Sequence, residues 1–373
     1  MRDLTLAEFP FLVSLASSES ARDRRIWLRV AIDHFIAAEP NDPDAIDRFA
    51  DVVALQLDAA DAATRLEIAC KLAPCARTPP RLLAKFLSAE SDACDYVLEH
   101  AAACADRDLA QAAALGGRRA VAVARRKTLD PHIAGALAAQ GDIDVLVALA
   151  NNDSARLEGK TLIDLLRRAR KLAEQEGDRR LADALLERRP VRPESAMLFL
   201  CAAPNQRVEI LLAAQRSQLG RPPAPPAPAR PQLLEELELA AVARQPERFV
   251  AILAEALDCE PDLARRIVDD ASGEPLAVAL AALGAANEVL VRVLISNDLQ
   301  AGASYQRIRA LARLNNALNR DAAMIVVSAL RGEPLALRRQ QPSADAGAPQ
   351  PPRAAAARLA AWPTDPPKRK AAK

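Results

Sequence analysis

Between Pro79 and Leu157 the chain repeats one phrase: a turn signal, a short run rich in Ala and Leu, another turn signal, another run. Asp106, Asp130 and Asp142 each precede an apolar-periodic run, where a carboxylate can accept hydrogen bonds from the free amides of a helix N-terminus. Gly116, Gly117 and Gly141 stand between runs, where a left-handed helix stop favours glycine. The unit recurs at about 24–27 residues, a period that signals stacked helical repeats. Helices this short are marginal alone and must draw stability from packing on their neighbours. Stacked pairs make an extended surface, whereas most enzymes need a pocket, so the repeat favours binding over catalysis.

The same phrase extends outward. Ile46, Phe49, Val53 and Leu57 form an i, i+3, i+7, i+11 stripe, and a further helix is expected over residues 64–72. Helices are predicted at 157–173 and 179–188, the second ending before Pro190 and Pro193. Residues 1–219 therefore read as an N-terminal helical-repeat block. Arg221 to Pro231 is Pro-rich and is not expected to be helical, which makes residues 220–232 a linker or loop of extended chain. Residues 233–331 read as a second block continuing the array, because Pro261 to Ile267 echoes Pro131 to Leu137. Residues 332–373 are rich in Pro, Ala, Gln and Arg and read as a disordered tail with a basic end.

Composition supports an all-α class. Hydrophobic residues make up 51% of the 373, aromatics only 3%, and much of the apolar content is Ala and Leu, the strongest helix formers. Fifty Lys and Arg against 49 Asp and Glu remove the global charge excess typical of nucleic-acid binders. The six cysteines (Cys70, Cys75, Cys94, Cys104, Cys201 and Cys259) sit in helical apolar contexts. Neither a secretory signal nor a membrane-length apolar run is read, so a soluble cytoplasmic protein with free thiols is expected.

No motif names a reaction. Cys94, His100 and Cys104 lie close together but match no zinc spacing and want a fourth ligand. Phosphate-binding loops and a nucleophile elbow are missing from the sequence, and no cofactor is expected. The acidic pairs Glu235-Glu236 and Asp269-Asp270 read as solvated helix faces. Arginines are the best binding candidates. Arg118, Arg119, Arg125 and Arg126 cluster on one helix, and Arg167, Arg168, Arg170 and Lys171 on another. If both helices line one wall of a solenoid, these side chains form a basic strip for acidic protein segments or phosphate groups. The opposing reading is that arginine stems cover apolar surface and cap helix C-termini. Asn151 and Asn152 read as a helix terminator in preference to a ladder between repeats.

From Ala122 to Ala155 the chain carries Arg-x-x-Leu at Arg126 to Leu129 and, after the Gly141-Asp142 turn, Leu-x-x-Asn at Leu149 to Asn152. With Arg65, Ala69, Leu72 and Ala73 upstream, this resembles an uncharacterised bacterial family, a domain of unknown function found mainly in alphaproteobacteria and built of HEAT-like helical repeats. The resemblance covers roughly residues 10–330 and leaves out the Pro-rich stretch and the tail. It implies an α-solenoid of stacked helical hairpins and no established activity, so no functional residue is carried over.

The leading expectation is a non-enzymatic scaffold or adaptor that binds a protein or acidic peptide along one face. The alternative is a HEAT-like nucleic-acid-binding protein or a DNA base-excision enzyme. That chemistry wants aromatics for stacking, and here Trp27 and Trp362 lie at opposite ends while Tyr96 and Tyr305 are isolated.

Overall fold

The computed structural model describes residues 20–38, 42–219, 231–297 and 305–333. The segment Leu4 to Leu15, residues 220–230 of the Pro-rich stretch and residues 334–373 of the tail lie outside the described residues. Every regular element among the described residues is helical, and none of these helices is long and apolar enough to cross a membrane.

The first eleven α-helices are α1 (Ala21–Ala38), α2 (Pro43–Asp58), α3 (Ala62–Leu72), α4 (Pro80–Leu87), α5 (Asp92–His100), α6 (Asp106–Leu115), α7 (Gly117–Ala124), α8 (Pro131–Gln140), α9 (Ile143–Asn151), α10 (Gly159–Lys171) and α11 (Arg180–Glu187). Odd-numbered helices α1 to α11 pack on one another in order and form one layer. In the second layer α2 packs on α4, α6 on α8, and α8 on α10. The stripe read from the sequence holds: Val53 and Leu57 of α2 are buried, as are Ile68, Ala69 and Leu72 of α3.

Local chemistry fixes the helix starts. Asp61, Ser91, Asp130 and Asp142 each cap a first turn, with Asp142 accepting from the Val145 amide at 3.0 Å. Asp106 differs from expectation: it lies inside the first turn of α6, where Ala105 precedes the helix without a side-chain cap. Gly141 differs too. Its φ is −61°, so no left-handed stop is formed. A Cβ there would stand 2.5 Å from the Leu137 carbonyl oxygen and 2.9 Å from Val145 Cγ1, so glycine serves the close approach of α8 and α9.

The odd layer is tied together at its helix C-termini. Arg126, just past α7, donates to the Leu98 and Ala101 carbonyls at the end of α5 (2.6 and 2.9 Å). Asn152, just past α9, donates to the Ala124 and Arg126 carbonyls at the end of α7 (2.8 and 2.6 Å). Arg188, just past α11, donates to the Ala150, Asn152 and Ala155 carbonyls (2.8, 2.7 and 2.7 Å). Earlier in the stack the Ala102 amide donates to the Ala73 carbonyl past α3 at 2.9 Å. Each repeat thus satisfies the orphan carbonyls of the one before it. Asn152 is both the α9 terminator and a rung between repeats, more than the terminator role expected of it.

Past α11 the alternation stops. A 3₁₀ segment (Pro193–Cys201) leads into α12 (Pro204–Gln218), then α13 (Pro231–Val242), α14 (Pro246–Leu257), α15 (Pro261–Asp269), α16 (Glu274–Leu283), α17 (Asn287–Asn297), α18 (Tyr305–Ala317) and α19 (Arg320–Leu330). Helix α13 packs on α17, while α19 returns to α12, α16 and the 3₁₀ segment. These returns close the second block upon itself and upon the first. One buried cluster accordingly runs from Cys94 to Leu330, on both sides of the Pro-rich stretch, and a separate one holds Trp27 to Ala101.

An ion cluster clamps α12 to the loop before α16. Arg207, its side chain 8% exposed, donates to Asp270 Oδ2 at 2.7 Å, to Ser272 Oγ at 2.7 Å and to Glu274 Oε2 at 3.1 Å. The same guanidinium donates to the Phe199 carbonyl and lies 5.4 Å from the Phe199 ring centroid. Burial pushes the Asp270 carboxyl up, but hydrogen bonds from Arg207 and Ser272 outweigh it and hold the group below its usual range.

Asn152→Ala strips two carbonyls of their donor and should lower stability by about 1–3 kcal/mol, whereas exposed Asn151→Ala should change it by less than about 0.5 kcal/mol; thermal melts of the two variants side by side check this. A carboxyl whose pKa falls on folding stabilises the fold at neutral pH, and that contribution disappears as pH drops through the folded value, below about 4. Urea midpoints measured from pH 7 downward should therefore fall less steeply in Asp270→Asn than in the wild type. Arg207→Met leaves two largely buried carboxylates unpaired and should cost about 3–5 kcal/mol at pH 7.

Candidate binding groove

Helix α7 is eight residues long and starts at Gly117, whose φ is +57°. On its open side it presents Gly117, Arg118, Val121 and Ala122, between α5 and α9. The result is a groove of about 860 Å³ across three consecutive helices of the odd layer. Its floor is apolar: Val121 and Ala122 from α7, Val147 and Ala148 from α9.

The rim is mostly acidic, with five carboxylates against two guanidiniums among the lining residues. Asp95 and Glu99 come from α5; Asp142, Asp144 and Asp153 come from α9 and its flanks. Several are committed. Asp95 accepts from Arg118 Nε at 2.9 Å, Asp142 caps α9, and Asp144 accepts from Arg180 at 2.9 Å. Among the described residues Glu99 has the His100 ring 3.8 Å away, and Asp153 forms no ion pair but lies within the field of Arg188. Asn151, exposed at the end of α9, also faces the groove.

The arginines singled out in the sequence take different places. Arg118 is held by Asp92 (2.6 Å) and Asp95, hydrogen bonds that raise its pKa. Arg119 lies 3.9 Å from Glu90. The Arg125 side chain is exposed at the groove and makes no hydrogen bond or ion pair among the described residues. Arg126 is 6% exposed and spent on carbonyls; burial lowers its pKa, as it does that of Arg188. On α10, Arg170 donates to Glu174 at 2.7 Å and to the Leu330 carbonyl at 2.5 Å, Arg167 lies 3.6 Å from Asp164, and Arg168 and Lys171 are exposed.

The two clusters do not form one strip. Helix α7 is the second of its pair and belongs to the odd layer, while α10 opens its own pair and belongs to the other layer. What the sequence reading passed over is the acidic rim. Its signal was present in the carboxylates at 95, 99, 142, 144 and 153, which flank the small residues of α7.

The thiols have a packing role. Burial raises the pKa of Cys94, Cys104, Cys201 and Cys259, which keeps them protonated and unreactive. His100 stacks on Tyr96, with ring centroids 4.2 Å apart. Among the described residues no group of three or more His, Cys, Asp or Glu is placed to hold a metal ion.

Neither the curated proteins nor the solved structures contain a match to this chain. Residues 94–222, a span that holds every residue lining the groove, match the family model DUF2336, described as an uncharacterised protein conserved in bacteria.

Proposed function

We propose that the protein is a non-enzymatic interaction scaffold of the bacterial cytoplasm that holds a partner protein along the odd-layer face, in the groove over α5, α7 and α9. The observation that carries this reading is the groove itself. It spans three repeats, has an apolar floor and a charged rim, and rests on helices locked together by rungs between repeats. A surface held this way loses little conformational entropy when a partner docks, which favours affinity without a deep pocket.

The rim bears on the alternatives. A phosphate backbone would meet five carboxylates there, so the nucleic-acid reading is not favoured at this site. An acidic partner finds its opposite charge instead on the exposed face of α10, at Arg167, Arg168 and Lys171.

Affinity capture from an extract of the native cells separates the two faces. Asn151→Trp fills the groove from an exposed position, and the double variant Arg167→Glu/Arg168→Glu reverses the α10 face. The expected result is a partner captured by the wild type and the α10 variant and lost by the groove variant. Loss from the α10 variant alone would move the binding face to the other layer.

A further inference from the structure

We infer that the groove takes a cationic segment of its partner, an extended stretch bearing Lys or Arg; this rests on the groove being the binding face. Three features of the site point the same way. First, Glu99 and Asp153 come from opposite flanks and neither is ion-paired to an arginine or lysine among the described residues, although Asp153 lies within the field of Arg188; a segment lying across α7 passes between these two carboxylates. Second, the floor between them is apolar and shallow in side-chain volume, with Val121, Ala122, Val147 and Ala148. Lys and Arg are built for such a surface: their methylene stems lie on apolar groups while the charged head reaches the rim. An acidic side chain has too short a stem to do both.

Third, the groups left over suit a peptide main chain. Arg125 supplies free N–H donors at one end of the groove, and the Asn151 amide offers both donor and acceptor. Main-chain carbonyls and amides can satisfy these, whereas a partner rich in carboxylates would gain Arg125 and meet a rim where five carboxylates, three of them already hydrogen-bonded, outnumber two guanidiniums. The volume of about 860 Å³ lies in the range of clefts that enclose a ligand of several peptide units. Arg126, buried, and Arg188, half-buried, donate their terminal N–H groups to helix carbonyls, so those groups are not offered to an anion.

Fluorescence anisotropy on the full chain tests the inference, using a labelled ten-residue peptide of alternating Lys/Arg and Ala and its counterpart with Glu in the charged positions. The cationic peptide should bind at least about tenfold more tightly, and raising the salt should weaken it. Glu99→Lys/Asp153→Lys should weaken the cationic peptide about tenfold or more, while the equal charge change Glu235→Lys/Glu236→Lys on α13 should leave it within about twofold. Circular dichroism melts confirm that the variants are folded. Equal binding of both peptides, preference for the anionic one, binding of neither, or equal loss in the two charge reversals overturns the inference. Asn151→Trp separates this from the groove assignment: an anionic peptide displaced by that substitution keeps the groove and removes the charge preference, and a cationic peptide indifferent to it places cation binding elsewhere.

Discussion

The rungs at the helix C-termini are the interaction on which the stack depends. Apolar burial holds neighbouring helices together but tolerates sliding and rotation, because it has no direction. Hydrogen bonds from Arg126, Asn152 and Arg188 to the carbonyls ending α5, α7 and α9 do have direction, and they set each repeat against the last. Neither guanidinium, Arg126 buried and Arg188 half-buried, forms an ion pair among the described residues; each sits on the negative end of the preceding helix, with the charge of Asp106 or Asp153 adding support. Burial lowers both pKa values, yet guanidinium starts so high that it keeps its charge. The groove follows from this alignment, since its two flanks belong to helices on either side of α7 that the rungs hold in fixed register.

A second set of charges decides where the stack ends. After α10 a π-helical turn (Leu172–Glu176) widens the chain and closes on Gly177 in the left-handed conformation. The turn places Glu174 where it accepts from Arg170 at 2.7 Å and from Arg266 of α15 at 2.8 Å. Arg170 also reaches the C-terminal carbonyl of α19, and Arg207 grips Asp270 and Glu274. These side chains connect residues between 63 and 160 positions apart, so they close the second block onto the end of the first in a way no nearest-neighbour stack would.

That difference in sequence separation explains what could be read in advance. The apolar stripe of α2, the caps at Asp130 and Asp142 and the proline starts are local, and each is visible in a window of a few residues. Gly141 was visible as a punctuation mark, but whether it serves a left-handed stop or a close approach depends on Val145, across the turn. The arginines are the hardest case. Arg125 and Arg126 are adjacent in sequence, yet one is exposed at the groove and the other buried in the stack, because a step of one residue past the end of α7 turns the side chain from the open face to the preceding repeat. Counting basic residues on a helix cannot separate these fates, and it cannot tell that α7 and α10 belong to opposite layers.

The same logic ties the scaffold to its surface. Positive charge in the odd layer is drawn inward, to the carbonyl ends of helices, or held against rim acids as Arg118 is by Asp92 and Asp95. Carboxylates are left facing outward: they are favoured at helix N-termini, where Asp142 and Asp144 sit, and Glu99 and Asp153 form no ion pair with an arginine or lysine among the described residues. A chain almost neutral overall thereby presents more carboxylates than guanidiniums at the groove, because the stacking draws Arg126 and Arg188 to helix carbonyls and leaves only Arg118 and Arg125 among the lining residues. The electrostatic character of the groove is then a consequence of how the repeats are joined, and altering a rung such as Arg126 would change the surface as well as the stack.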